Sequence, residues 1–214
     1  MALREGTERR ILDAAEELFF TRGVAATPID AVIDRAGVSA ATLYRGYSSK
    51  EALLAAALRR RQRDWIQTWD EAIADASGDV SRVLAVFDAL DTFRGRAHGS
   101  RWCAFLGAAA EHAEPPAEVA EAVRADTEAL RSRLEALARP LVGKGAGELA
   151  DELVLVVTGD LAMRLRYPDA TSATSRRIAE TLLTHRRAAT GVSACRDGEG
   201  DRSSRLQPPS AGSS

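Results

Sequence analysis

The chain has 214 residues, of which 45% are hydrophobic, 28% charged and 5% aromatic, and its formal net charge is -2. That composition describes an ordinary globular protein with a core of Ala, Leu and Val. It excludes a disulfide framework, since Cys103 and Cys195 lie far apart, and a membrane span, since no apolar run reaches the roughly 18 to 20 residues a bilayer requires. A cytoplasmic, reducing location is expected.

Charge is unevenly placed, with +2 over residues 1–66 and -4 over the rest. A mildly basic head on an acidic body is compatible with phosphate binding at one end. Residues 1–6 read as frayed. From Thr7 to about Thr21, Ile11, Leu12, Ala15, Leu18 and Phe19 recur at helical spacing, and Gly23 ends the pattern. Thr27 to Lys50 then holds two short helices. Thr27 is expected to cap the first, with Pro28 at its first position and Asp30 in its first turn; Gly37 suits the left-handed residue after its end near Ala36. Ser39 caps the second, Ala40 to about Gly46. Two such helices around a glycine turn make either an ordinary helical corner or a DNA-binding helix-turn-helix.

Ser48 and Glu51 stand in capping-box spacing ahead of a long helix running to about Ala76. Its Arg59, Arg60, Arg61 and Arg63 read as a solvated basic face paired with Asp64 and nearby acids. In the body, Val80 to Phe93 form an amphipathic helix, an Ala-rich helix ends at Pro115-Pro116, and a long helix spans Ala117 to about Leu141. The segment Ala146 to Arg166 is apolar nearly all round and must be covered on every face, either inside one monomer or in a dimer. Ile178, Ala179, Leu182 and Leu183 mark a last short helix, and residues 191–214 read as disordered. The fold class is all-α: a three-helix helix-turn-helix head on a larger C-terminal helical bundle.

The ordered set Thr-x(4)-Val-x(3)-Ala-Gly-Val-Ser-x-x-Thr-Leu-Tyr-x-x-Tyr from Thr27 to Tyr47, followed by Ser-Lys-Glu-Ala-Leu, resembles the N-terminal domain of TetR-family transcriptional regulators over about the first 60 residues. The resemblance implies a DNA-binding domain at 1–48, a ligand-binding and dimerisation domain at 49–190 and a tail at 191–214. By position it implies DNA contacts from Thr27, Pro28, Ser39, Ala40, Ala41, Thr42, Tyr44, Arg45, Tyr47 and Lys50, with Tyr47 supporting the helix end. Arg45 has the fork that reads guanine O6 and N7. Ala40 and Gly46 stand where the family often has longer contacting side chains, and Ile33 where it usually has alanine. The family's dimer arrangement assigns Leu130, Leu134, Leu153, Val157 and Leu161 to a four-helix interface between two copies. The implied partners are a double-stranded DNA operator, a small-molecule effector and a second copy of the chain, with no membrane; the implied activity is repression relieved by a mostly apolar ligand.

An enzyme is not expected. No Gly-rich phosphate loop follows a strand pattern, no nucleophile elbow is present, and the three histidines have no metal-ligand spacing, so no cofactor, metal or catalytic residue is assigned. A ligand pocket is expected from Trp65, Trp69, Phe87, Phe93, Trp102, Phe105 and Tyr167, with Cys103, His112 and Arg164 as polar members. The same residues would also serve as plain core. Asp160 and Arg164, four residues apart, read as a partly buried ion pair. The rival reading is a helical small-molecule-binding protein or enzyme with a vestigial head.

Overall fold

A computed structural model describes residues 3–95, 103–111 and 114–200, with side chains described as far as residue 189. Among the described residues the regular structure is entirely helical: α1 (Glu5–Arg22), α2 (Ile29–Ala36), α3 (Ala40–Gly46), α4 (Lys50–Asp75), α5 (Asp79–Arg94), α6 (Ala104–Ala110), α7 (Ala117–Val142), α8 (Ala146–Met163) and α9 (Ala173–Gly200), with a 3-10 turn at Gly143–Gly145.

Local chemistry accounts for the head. Gly37 adopts φ 60°, ψ 47°, the left-handed conformation that lets α2 stop and turn into α3. The Ser39 hydroxyl accepts from the Thr42 amide at 3.2 Å, capping α3. Two caps differ from expectation. α4 is capped by Ser49, which accepts from the Ala52 amide at 3.0 Å, rather than by Ser48. α2 starts behind Pro28 without a side-chain cap, because the Thr27 hydroxyl donates instead to the carbonyls of Gly23 at 2.7 Å and Leu18 at 3.3 Å.

Two hydrophobic cores follow. The first joins α1, α2, α3 and the opening turns of α4 through Ile11, Phe19, Val32, Leu43, Leu54 and Leu58, and takes in Phe105 of α6 and Val119 of α7. The second gathers Trp69, Phe87, Leu134, Leu149, Leu153 and Leu183 from α4, α5, α7, α8 and α9. α4 runs through both. Across the head, Arg60 of α4 reaches Glu16 at 2.5 Å and Asp13 at 2.8 Å on α1. Arg61 is buried, with its guanidinium over the rings of Phe93 and Phe20. The arginine run is therefore a partly internal set; Arg59 and Arg63 alone of the four are exposed.

Further departures lie at the C-terminal end. α9 is a 28-residue helix rather than a short one. It continues to Gly200 where disorder was expected from residue 191; residues 201–214 lie outside the described residues. Within one chain α8 is not covered on every face, since Leu155 is 73% exposed, which removes the monomer alternative for its coverage and leaves the dimer one open.

Candidate functional site

Two regions carry exposed or cavity-facing chemistry. The first is the outer face of the head. Ser39, Ala40, Ala41, Tyr44 and Arg45 of the α3 segment are exposed and Thr42 half-exposed, while Leu43 between them is fully buried and anchors the helix. Pro28 is exposed and Lys50 half-buried, with its ammonium 5.9 Å from the centre of the Phe19 ring. A groove beside α3 is lined by Arg4, Thr7, Arg10, Ser39, Thr42 and Arg45. Arg4 and Arg10 were missed by sequence reasoning; the available signal was their place at the polar edge of the first helix. Arg10 also reaches the Gly37 carbonyl at 3.5 Å, holding it near the turn.

Thr27 and Tyr47 do not belong to this face. Thr27 is 1% exposed and its hydroxyl is spent on two carbonyls. Tyr47 is buried at the C-cap of α3 with no partner at hydrogen-bonding distance from its hydroxyl. Burial, and then the nearby Glu8 carboxylate, push its phenol up to about 12. A Cβ at Gly46 would meet the outer atoms of the Leu3 side chain, which lies on the end of α3 and would have to shift aside.

The second region is a cavity in the body. It brings together Trp65, Phe93, Cys103, Phe105 and Arg164, as the sequence suggested, and adds Arg61, Leu90 and Asp126. Trp65 and Phe93 meet edge to face at 5.7 Å. Burial raises the Cys103 thiol above its ordinary range, which suits an unreactive wall residue. Burial likewise pushes the Asp126 carboxyl up to about 7, with Arg61 opposing the shift.

Several expected members lie elsewhere. Trp69 and Phe87 are 1% exposed within the second core, because α4 and α5 pack there on those faces. Tyr167 is 61% exposed beyond the end of α8 and faces solvent. Trp102 and His112 lie outside the described residues. Leu134 and Leu153 are fully buried inside one chain and cannot form a dimer surface; Leu130, Val157 and Leu161, assigned to the same interface, line the cavity instead.

Arg164 is structural. Its guanidinium bonds Asp160 at 3.1 Å, Asp91 at 3.2 Å, Ser172 at 2.7 Å and the Leu90 carbonyl at 3.3 Å. It thereby ties the end of α8 to α5 and to the start of α9. Among the described residues no group of three potential metal-ligating side chains occurs, and no helix is long and apolar enough to cross a membrane.

The family model for bacterial regulatory proteins of the tetR family matches residues 11–57, the span of α1 through the opening of α4. A TetR-family transcriptional regulator from Streptomyces coelicolor superposes with a TM-score of 0.77 at 27% identity, covering 86% of this chain and 97% of that one. The head of this chain is a TetR-family domain.

The chain is also similar over part of its length to curated regulators. The HTH-type transcriptional activator FasR of Mycolicibacterium smegmatis is 33% identical over 90 residues, which cover 42% of this chain and 41% of FasR. An uncharacterised HTH-type transcriptional regulator of Mycobacterium tuberculosis is 41% identical over 75 residues, 35% of this chain and 37% of that protein. The match thus spans about two fifths of the length of these curated relatives. The family model thus covers the head with its exposed α3, while the cavity falls in the body.

Proposed function

We propose that the protein is a DNA-binding transcriptional regulator whose head reads a pseudo-palindromic operator. The observation that carries this reading is the exposed face of α3 with Thr42, Tyr44 and Arg45, beside Arg4 and Arg10. A seven-residue helix standing clear of the core on a buried Leu43 is suited to enter a major groove. Arg45 is the base reader, assisted by Thr42 and by the Ala40 and Ala41 methyls against thymine. Ser39, Tyr44, Pro28, Lys50, Arg4 and Arg10 set register on phosphates. Residues 1–48, with Lys50 at the start of α4, carry the reading surface, and the opening turns of α4 are part of the same core.

The working unit is a C2 dimer through α8 and α9. Leu155, Gly159, Ala162 and Met163 form an exposed stripe on α8, and Ile178 of α9 is 48% exposed. Exposed Leu and Ile at this density call for a covering surface. The cavity between α4, α5, α6, α7 and α8 takes a small, mostly apolar effector whose binding moves α4 and α6 and spoils the spacing of the two recognition helices, so that the regulator acts as a repressor released by ligand.

The test is a gel shift with the DNA upstream of the gene. The wild-type protein is expected to give a discrete, salt-sensitive complex that Arg45→Ala weakens by tenfold or more. Equal affinity of the two proteins for that DNA would overturn the assignment of α3 as the reading helix.

A further inference from the structure

The body cavity has apolar aromatic walls and one carboxylate that nothing in the described fold uses. Asp126 of α7 lines it together with Trp65 of α4 and Leu130, and the same three residues line a smaller adjoining cavity, so Asp126 stands where the two meet. Among the described residues it accepts no hydrogen bond, and no arginine comes within ion-pair distance; Arg61 acts on it only through the longer-range attraction between charges. Arg61 in turn is influenced more by Glu16 and Asp64 than by Asp126. Arg164 spends its donors on Asp160, Asp91, Ser172 and the Leu90 carbonyl, and Arg94 donates to the Ala170 carbonyl at 2.7 Å. A half-buried carboxylate that faces an apolar cavity without a protein donor is partly desolvated, and an incoming donor or cation would relieve that cost.

The wall beside it already holds a cation. The Arg61 guanidinium lies 4.8 Å from the centre of the Phe93 ring, and Phe93 meets Trp65 edge to face. Aromatic faces next to an uncommitted carboxylate favour a positively charged nitrogen on an apolar body.

We propose that the effector of this protein is a lipophilic amine, bound as its ammonium ion with the nitrogen at the Asp126 carboxylate and the apolar part against Trp65, Phe93, Phe105 and Leu130. The proposal rests on the reading of the cavity as the effector site. It gives Arg61 a part in the response: an ammonium at Asp126 repels the guanidinium on α4, the helix that enters the head.

Binding also depends on pH in a defined direction. The ionisable groups facing this space are Arg61 from α4, Arg94 from α5, Cys103 from the start of α6, Arg164 from α8, and Arg133 farther along α7. Burial moves the Cys103 thiol upward, away from neutrality. Among the described groups lining this space, Asp126, raised to about 7, is the one that changes charge between pH 5.5 and 8. Amine binding should strengthen as pH rises across that interval.

The experiment is calorimetric titration of the full chain with three probes of one length: n-octylamine, n-octanol and octanoate, at pH 8 and pH 5.5. At pH 8, octylamine is expected to bind at least tenfold tighter than either other probe. That preference should vanish at pH 5.5 and in Asp126→Asn, and return in Asp126→Glu. Octanol or octanoate binding the wild type as tightly as octylamine, or Asp126→Asn retaining the amine preference, would overturn the proposal and leave the cavity as the effector site. Absence of binding by all three probes would overturn the effector-site reading as well.

Discussion

The Glu111 carboxylate at the end of α6 accepts a 2.6 Å hydrogen bond from the Ala25 amide in the loop before α2, and a second from the Val24 amide at 3.0 Å. The other end of the seven-residue α6 carries Ala104 and Phe105, which line the body cavity. One short helix, about 10 Å long, therefore touches both the cavity and the head. Hydrogen bonds to a charged acceptor contribute about 1.5 to 3 kcal/mol where water is excluded, and less at an exposed amide such as that of Ala25. In Glu111→Ala the Val24 and Ala25 amides should exchange with solvent about tenfold faster, as followed by NMR. Unchanged exchange at both amides would show that the link holds nothing.

On the DNA face, the two classes of contact are separable. Arg45→Ala should cost about 1 to 3 kcal/mol of operator affinity and relax preference at one base position. Arg10→Ala should weaken binding to all sequences alike and reduce the slope of log affinity against log salt by about 1. Binding isotherms at several salt concentrations, on the operator and on scrambled DNA, distinguish them; identical profiles for both variants would contradict the division.

The Arg164 network stabilises only as a whole. Removing the guanidinium in Arg164→Met strands the buried Asp160, so urea unfolding should show a loss of about 3 to 5 kcal/mol. The double variant Arg164→Met, Asp160→Leu should recover much of it, since a packed apolar pair tolerates the site better than a lone charge. A double variant no more stable than the single one would mean that the bonds to Ser172 and Asp91 matter more than the pair.

Leu153 and Leu155 are two residues apart on α8 and have opposite roles. Leu155→Glu should give a folded monomer by light scattering, because its side chain is the exposed one. Leu153→Ala should remain a dimer but lose about 2 to 5 kcal/mol of stability from a cavity in the core. A Leu155→Glu dimer would move the interface elsewhere.

Asp126 links stability to pH with a sign that can be worked out. In the folded protein its carboxyl holds a proton up to about pH 7, whereas in the unfolded chain it releases it near about pH 4. Between those values the folded state binds the extra proton, so the Asp126 contribution is fully present below about pH 4 and is lost as pH rises through about 7. Relative to wild type, Asp126→Asn should be equally stable to urea at the acidic end and more stable at pH 8. A variant less stable at pH 8 would reverse the sign.

The head was legible because its signals are local. Gly37 and Ser39 act on their own neighbours, and each adopts the conformation its chemistry suggests. The proposed DNA face was read less well, because position in a motif does not say where a side chain points: Thr27 turns inward to two carbonyls, while Tyr47 packs into the core at the helix end it was expected to support. In α8 the failure has another cause. A helix with Leu or Val at nearly every position carries no sequence mark of its inner face, so Leu153 and Leu155, about 200° apart around the axis, looked equivalent. Asp126 left no trace at all, since a single Asp on a charged helix resembles any solvated one.

The two cores share α4, whose Leu53, Leu54 and Leu58 belong to the first and whose Trp69 belongs to the second. A helix of 26 residues that serves two cores cannot lose one end without loosening its hold on the other. The proposed division into a reading part and a sensing part is thus a division of labour and not of folding. A scanning calorimeter should record one endotherm for the whole chain, and a fragment cut between Leu58 and Trp69 should yield neither half in folded form.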